Sequence, residues 1–303
     1  MAISRSQLVK ELEPGLNALF GLEYDKYENE HAEIFNQESS DRAFEEEVML
    51  TGFGNAPVKQ EGAAVTFDSA NEAYTARYSH ETVALAFSIT EEAVEDNLYD
   101  RLSARYTRAL ARSMAHTKQI KAANVLNNAF TGGASAGGDG VSLVNTAHPT
   151  TGGGNFSNRN ATDADLNETS LEQAMIDISQ FIDERGLRIA VQARKLIVPP
   201  QLMFVADRIL NSTLRTGTAD NDINALVNMS MLPEGYRVNH YLTDTDAYFI
   251  MTDAPNGFKQ FVRTPLATAM EGDFDTGNVR YKARERYSFG FSDPRCVYGS
   301  QGS

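Results

Sequence analysis

Residues 91–130 run without a single glycine or proline and stop at Gly132 and Gly133. Thr90 stands before Glu91, Glu92 and Glu95, a capping side chain followed by acids in the first turn, where the helix dipole favours them. One helix of about 40 residues would be roughly 60 Å long, well beyond the usual globular length. Such an element has to serve as a structural spine, a coiled coil or two helices in line, and the remaining chain is arranged along it.

Within it, residues 101–121 read "RLSARYTRALARSMAHTKQIK", with Arg101, Arg105, Arg108, Arg112, Lys118 and Lys121 and no acid, in a chain of 303 residues with a net charge of -14. On a helix the four arginines share a stripe about 60° wide, and Leu102, Tyr106, Ala109, Leu110, Ser113 and Ile120 fall on the broad opposite face. Three readings of the stripe stand side by side. It is a solvated face, a contact for acidic segments of its own chain or a neighbour, or a contact for packaged nucleic acid. The chain holds 41 acids against 27 Lys and Arg, which argues against tight wrapping of DNA by the whole molecule. No base-reading motif accompanies the stripe.

The other segments give an α+β pattern, with helices and strands in blocks rather than in βαβ alternation. Residues 1–48 are acidic, four cations against twelve carboxylates, with short helical signals capped by Ser4 or Ser6 and stopped by Gly21; they read as an arm lying on something else. Ala63, Val65 and Phe67, then Tyr74, Ala76 and Tyr78, alternate with polar neighbours, the pattern of a long two-stranded ribbon with little core of its own. The Gly-, Ser- and Asn-rich segment 131–162 is a long loop. Residues 170–184 form a helix, "RKLIVPP" a buried strand and "LMFVADRILNS" a further helix. "YRVNHYL", "AYFIMTD" and "FKQFVRT" are strand-like, and "VRYKARERYSFGF" is a strand with Tyr281, Ala283, Glu285 and Tyr287 on one face and Lys282, Arg284 and Arg286 on the other.

No catalytic constellation emerges. "GGASAGGDG" lacks the Lys and Ser/Thr of a phosphate-binding loop and follows a helix instead of a strand. His148, in "NTAHPTTGGG", is a candidate for acid–base work, with a plainer role in hydrogen bonding its own loop. The pairs Asp244/Asp246 and Asp220/Asp222 lack the offsets of a calcium loop and suit turns. Cys296, the one cysteine, reads as a buried thiol beside Arg295 and rules out an internal disulfide. With no metal spacing, no cofactor motif, no signal-like run and no apolar run of membrane-spanning length, the expectation is a soluble, cytoplasmically made protein without a cofactor.

The order of these segments, with "NTAHPTTGGG" after the spine, "KLIVPPQLMFVADRIL" and the terminal "RERYSFGFSDPRCVYGS", resembles the tailed-phage major capsid protein of the Hong Kong ninety-seven type. The resemblance implies an N-terminal arm (1–48), an extended β-hairpin loop (49–87), a peripheral domain with spine helix and Gly-rich loop (88–165), an axial domain (166–265) and a C-terminal return (266–303). It implies a non-enzymatic subunit that forms hexamers and pentamers of an icosahedral virion shell, assembled in the host cytoplasm around double-stranded DNA with weak non-specific contact. Its expected partners are copies of itself, with portal, separate scaffolding and decoration proteins, and no membrane. An encapsulin-type bacterial compartment shell of the same fold is the near alternative, and an enzyme using the Gly-rich loop and His148 the distant one. Arg101, Arg105, Arg108 and Arg112 are the candidate inter-subunit or DNA contacts.

Overall fold

The computed structural model describes residues 5–90, 92, 99–133, 137–215, 222–273 and 277–302. Helix α1 (Arg5–Tyr24) is followed by strands β1 (Asn36–Ser39), β2 (Phe44–Leu50), β3 (Glu72–Ser79) and β4 (Glu81–Ile89). The spine helix α2 (Tyr99–Asn127) then leads into short strands β5 (His148–Pro149) and β6 (Asn155–Phe156) and helix α3 (Glu168–Ser179). After them come β7 (Ala193–Val198), α4 (Met203–Asn211), α5 (Ala225–Asn228), β8 (Tyr236–Val238) and β9 (Tyr248–Thr252). The long strands β10 (Phe258–Gly272) and β11 (Val279–Phe291) and the terminal β12 (Val297–Ser300) complete the chain.

The chain divides into two compact units. The first takes Met1–Glu45, Tyr78–Ala122 and Gln260–Phe289. Its sheet has the order β1-β10-β11-β4, with β11 and β4 antiparallel. The inward face of β11 carries Tyr281 and Ala283 against Leu110, Ala111 and Met114 of α2 and Leu16 and Phe20 of α1. Leu16, Phe20 and Tyr24 recur at helical spacing, so one stripe of α1 packs and the helix runs on through Pro14, Gly15 and Gly21. The expected stop at Gly21 is thus overridden by packing, which outweighs about 1 kcal/mol of glycine propensity.

The second unit takes Glu46–Arg77, Ala123–Lys259 and Gly290–Ser303. In its sheet β12-β9-β7-β8, β7 lies parallel to β8 and antiparallel to β9. Leu196, Val198, Tyr248, Ile250 and Tyr298 pack from this sheet against Leu171, Ala174 and Ile178 of α3 and Ala206 and Ile209 of α4. α3 starts two residues earlier than expected because Asn167 and Ser170 form a reciprocal capping box. It ends at Ser179, and the chain turns through Gly186 at φ 81, a backbone conformation that glycine adopts without a Cβ penalty.

Two further expectations change. The described spine is 29 residues, about 43 Å, and ends at Asn127; residues 91 and 93–98 lie outside the described set. Asn127 leaves the helix by donating to the Tyr241 carbonyl and accepting from the Thr243 amide. The alternation at residues 63–67 forms no strand: β2 pairs with β3, and residues 51–71 between them carry no regular strand or helix. Val58 and Phe67 there are 95% and 94% exposed, so the alternating side chains have no surface in this chain to pack on. A strand needs that second surface.

Leu171 is fully buried at the centre of the second core. Leu171→Ala should lower the stability of that unit by about 2–5 kcal/mol, measured as a shift of its denaturant midpoint at unchanged slope.

Candidate functional site

The arginine stripe forms on α2 as a helix requires. Arg105, Arg108 and Arg112 are exposed, and no hydrogen bond or ion pair joins them to another described residue. Arg101 lies in the first turns of α2, with its side chain outside the described set. The packed face is rotated from the expected one. Leu110 is buried, but Tyr106, Ala109 and Ile120 are exposed, and Thr107, Ala111, Met114 and Ala115 make the contact instead. Small side chains at Ala111 and Ala115 let neighbouring elements approach the helix closely, which a reading weighted by large residues overlooks.

The two lysines of the basic stretch are satisfied within the first unit. Lys118 Nζ lies 3.3 Å from Glu285 Oε2 on β11 and 5.4 Å from the Tyr287 ring centre, and Lys121 pairs with Glu81 on β4. Burial raises the Glu285 carboxyl and Lys118 opposes the shift. His31, 5% exposed, packs beside this cluster: Gln119 Oε1 accepts from its backbone N–H at 3.1 Å, and its Nδ1 has no described partner. Burial, then the positive charge of Lys118, brings the His31 ring down to about 4.

His148 is held in the second unit. Its Nδ1 lies 2.6 Å from Asp139 Oδ2 and its Nε2 3.1 Å from Asn158 Oδ1. The Asn158 amide nitrogen donates to the Leu143, Pro294 and Val297 carbonyls at 2.8, 3.0 and 3.1 Å, while its Oδ1 accepts from Asn145 N–H at 2.8 Å. Those carbonyls fix the amide orientation, so His148 Nε2 carries a proton toward Asn158. Both ring nitrogens are engaged and the ring is 2% exposed, which leaves no lone pair facing a substrate. Asn158 had no signal in the sequence; only the fold shows it as the anchor of the loop.

The glycines nearby serve close approach. A Cβ on Gly138 would stand 2.7 Å from the Thr75 carbonyl oxygen on β3. Arg295 donates to Glu184 at 2.8 Å and to the Ile182 carbonyl at 2.7 Å, and Thr151 N–H donates to Glu184, tying the loop to the C-terminal segment. The cleft lined by His148, Asp139, Glu184 and Arg295 holds about 10 Å³, room for one water molecule at most. Cys296 is buried, and desolvation pushes its thiol well up, which suppresses the reactive thiolate. Asp244 accepts from the Asp246 and Ala247 amides, a turn; Asp220 lies outside the described residues. Among the described residues no His, Cys, Asp and Glu cluster could hold a metal ion, and no helix is long and apolar enough to cross a membrane.

Residues 73–300 match the family described as phage capsid protein. No curated protein sequence matches the chain. Its fold is similar to the virus-like particle from Pyrococcus furiosus (TM-score 0.53, 10% identity, 95% of this chain and 98% of that one). It is also similar to the capsid of Myoviridae phage XM1 (0.51, 11%, 89% of each) and to the capsid of an empty GTA particle (0.53, 13%, 90% and 89%). The α+β class and the expected phage capsid fold are therefore those observed.

Two outcomes follow from the buried groups. Because the folded His31 ring titrates below its ordinary value near 6.5, it contributes stability above that pH and loses it as the pH falls toward 4, up to roughly 3 kcal/mol. Glu285, raised in the fold, acts with the opposite sign, so the test is a difference: His31→Gln should flatten that loss in stability curves between pH 6.5 and 4. Asn158→Ala strips the loop anchor and should cost about 3 kcal/mol or more in thermal or denaturant unfolding.

Proposed function

The chain belongs to the phage capsid protein family, and on that premise we propose that its copies assemble as hexamers and pentamers into a closed icosahedral virion shell around double-stranded DNA, formed in the host cytoplasm. The observation that carries this reading is the loop of residues 51–71, where Phe53, Val58, Val65 and Phe67 are exposed in a single chain. Exposed apolar side chains on a long loop without strands gain stability by lying across another subunit. In this reading residues 1–48 act as the arm, 49–87 as the extended loop, 88–165 as the peripheral domain, 166–265 as the axial domain and 266–303 as the return strand. Portal, scaffolding and decoration proteins are its partners, and the subunit performs no catalysis. The sealed environment of His148 supports that last point. The encapsulin-type compartment is the weaker reading, because the matched family is that of phage capsids.

Arg101, Arg105, Arg108 and Arg112 are then surfaces completed outside the protomer. Lys118 and Lys121 already have carboxylates in their own chain, whereas Arg105, Arg108 and Arg112 have none among the described residues. A carboxylate-rich segment of a neighbour is the first partner for them, and DNA the second.

Expressed protein, alone or with its scaffolding partner, should sediment and image as closed particles or regular capsomers; a chain that stays monomeric in every condition would refute the shell. Arg105→Glu with Arg108→Glu should impair particle formation or particle stability while the melting curve of the dispersed subunit stays the same. Normal, equally stable particles from that variant would make the stripe a solvated face.

A further inference from the structure

A second basic strip lies in the first unit, on the sheet face turned away from α1 and α2. Tyr281 and Ala283 of β11 point into the core with those helices, so Arg280, Lys282, Arg284 and Arg286 project from the opposite face at every second residue, about 6.6–6.8 Å apart. Directly across on β4 their partners are Ser88, Ala86, Ala84 and Thr82. All four are exposed, and none is larger than threonine. The cations therefore border a shallow trough of small side chains. β4 is also an edge strand, so the trough is open on its far side within this sheet.

These cations are incompletely satisfied. Arg280 is paired with Asp273. Lys282 and Arg284 have no hydrogen bond or ion pair with any described residue. The Arg286 Nε–H is buried without an acceptor among them. A buried guanidinium N–H with no partner is a costly arrangement, and Lys282 and Arg284, both exposed, are the cations that an incoming anion can reach.

We propose that this strip docks an extended, carboxylate-bearing segment of a second copy of the chain. Each copy carries 41 acids against 27 Lys and Arg, so a neighbouring copy presents carboxylates in excess. An extended segment repeats its side chains on one face at the same interval as the cations, and the small β4 residues leave room for its backbone. A nucleic acid fits less well, because the net charge of -14 opposes the phosphate attraction that four cations would provide. Contacts of this kind set partner register and association rate more than total affinity. The inference rests on the shell reading above and adds to it a particular intersubunit surface.

Lys282 makes the strip directly testable. Particles assembled from mixed isotopically light and heavy chains are treated with a water-soluble carbodiimide, which condenses the Lys282 amine with a touching carboxylate to an amide as the reagent takes up the lost water. Mass spectrometry should find Lys282 joined to an Asp or Glu with mixed-isotope masses. Lys282→Arg particles should still form and lack this product. Lys282→Glu with Arg284→Glu should raise the concentration needed for assembly by about tenfold or more, with the melting of the dispersed chain unchanged. Particles in which Lys282 yields no product, or only products within one chain, overturn the proposal. So does a double variant that assembles normally and loses only DNA retention, which would make DNA the partner. If the wild-type chain forms no particles at all, the shell reading fails first and the inference falls with it.

Discussion

The packing of the inward face of β11 on the spine helix is the contact on which the first unit depends. Tyr281 and Ala283 close against Leu110, Ala111 and Met114, and Leu16 and Phe20 of α1 fill the same core. Glu285 enters this apolar face, where an isolated carboxylate would be strongly penalised, and Lys118 from α2 offsets the charge at 3.3 Å. Such a pair contributes more to the alignment of strand and helix than to net stability, because desolvation cancels much of the attraction. Its removal on one side only would leave a buried charge, so register and composition are coupled at this point.

That alignment explains how one stretch of charge divides into two uses. The lysines at the C-terminal end of the basic stretch reach the sheet, at Glu285 and Glu81. Arg105, Arg108 and Arg112 project to the exposed side. The alternation of β11 makes a second division: what faces inward builds the core, and what faces outward is a row of cations beside small β4 residues. In the second unit the polar anchors work within the fold. Asn158 and Arg295 are buried and hold the Gly-rich loop and the C-terminal segment together.

Periodicity made much of this legible in the sequence. The spine helix, the two-faced β11 and the buried β7 follow from spacing, whereas α3 ends at Ser179, short of the expected 184, with Gln180 as its C-cap. The face on which the spine packs did not, because alanines at 111 and 115 decide it by what they allow to approach. The continuation of α1 through Pro14 and Gly21 depended on tertiary contacts at Leu16 and Phe20. Asn158 shows the other limit: an asparagine in a polar loop carries no pattern, yet its amide meets the Leu143 carbonyl of its own loop and the Pro294 and Val297 carbonyls of the C-terminal segment. Residues 63–67 have strand periodicity without a strand, since their pattern describes a surface that this chain alone does not offer.

In the proposed shell the two units fold within the chain while the loop of residues 51–71 is completed by another copy. Amide hydrogen exchange of dispersed subunits and of assembled particles tests it most directly, since exchange reports local opening segment by segment. Residues 51–71 should exchange quickly in the dispersed chain and at least about tenfold more slowly in particles, while β7 and β9 are protected in both. Equal, rapid exchange of residues 51–71 before and after assembly would contradict it.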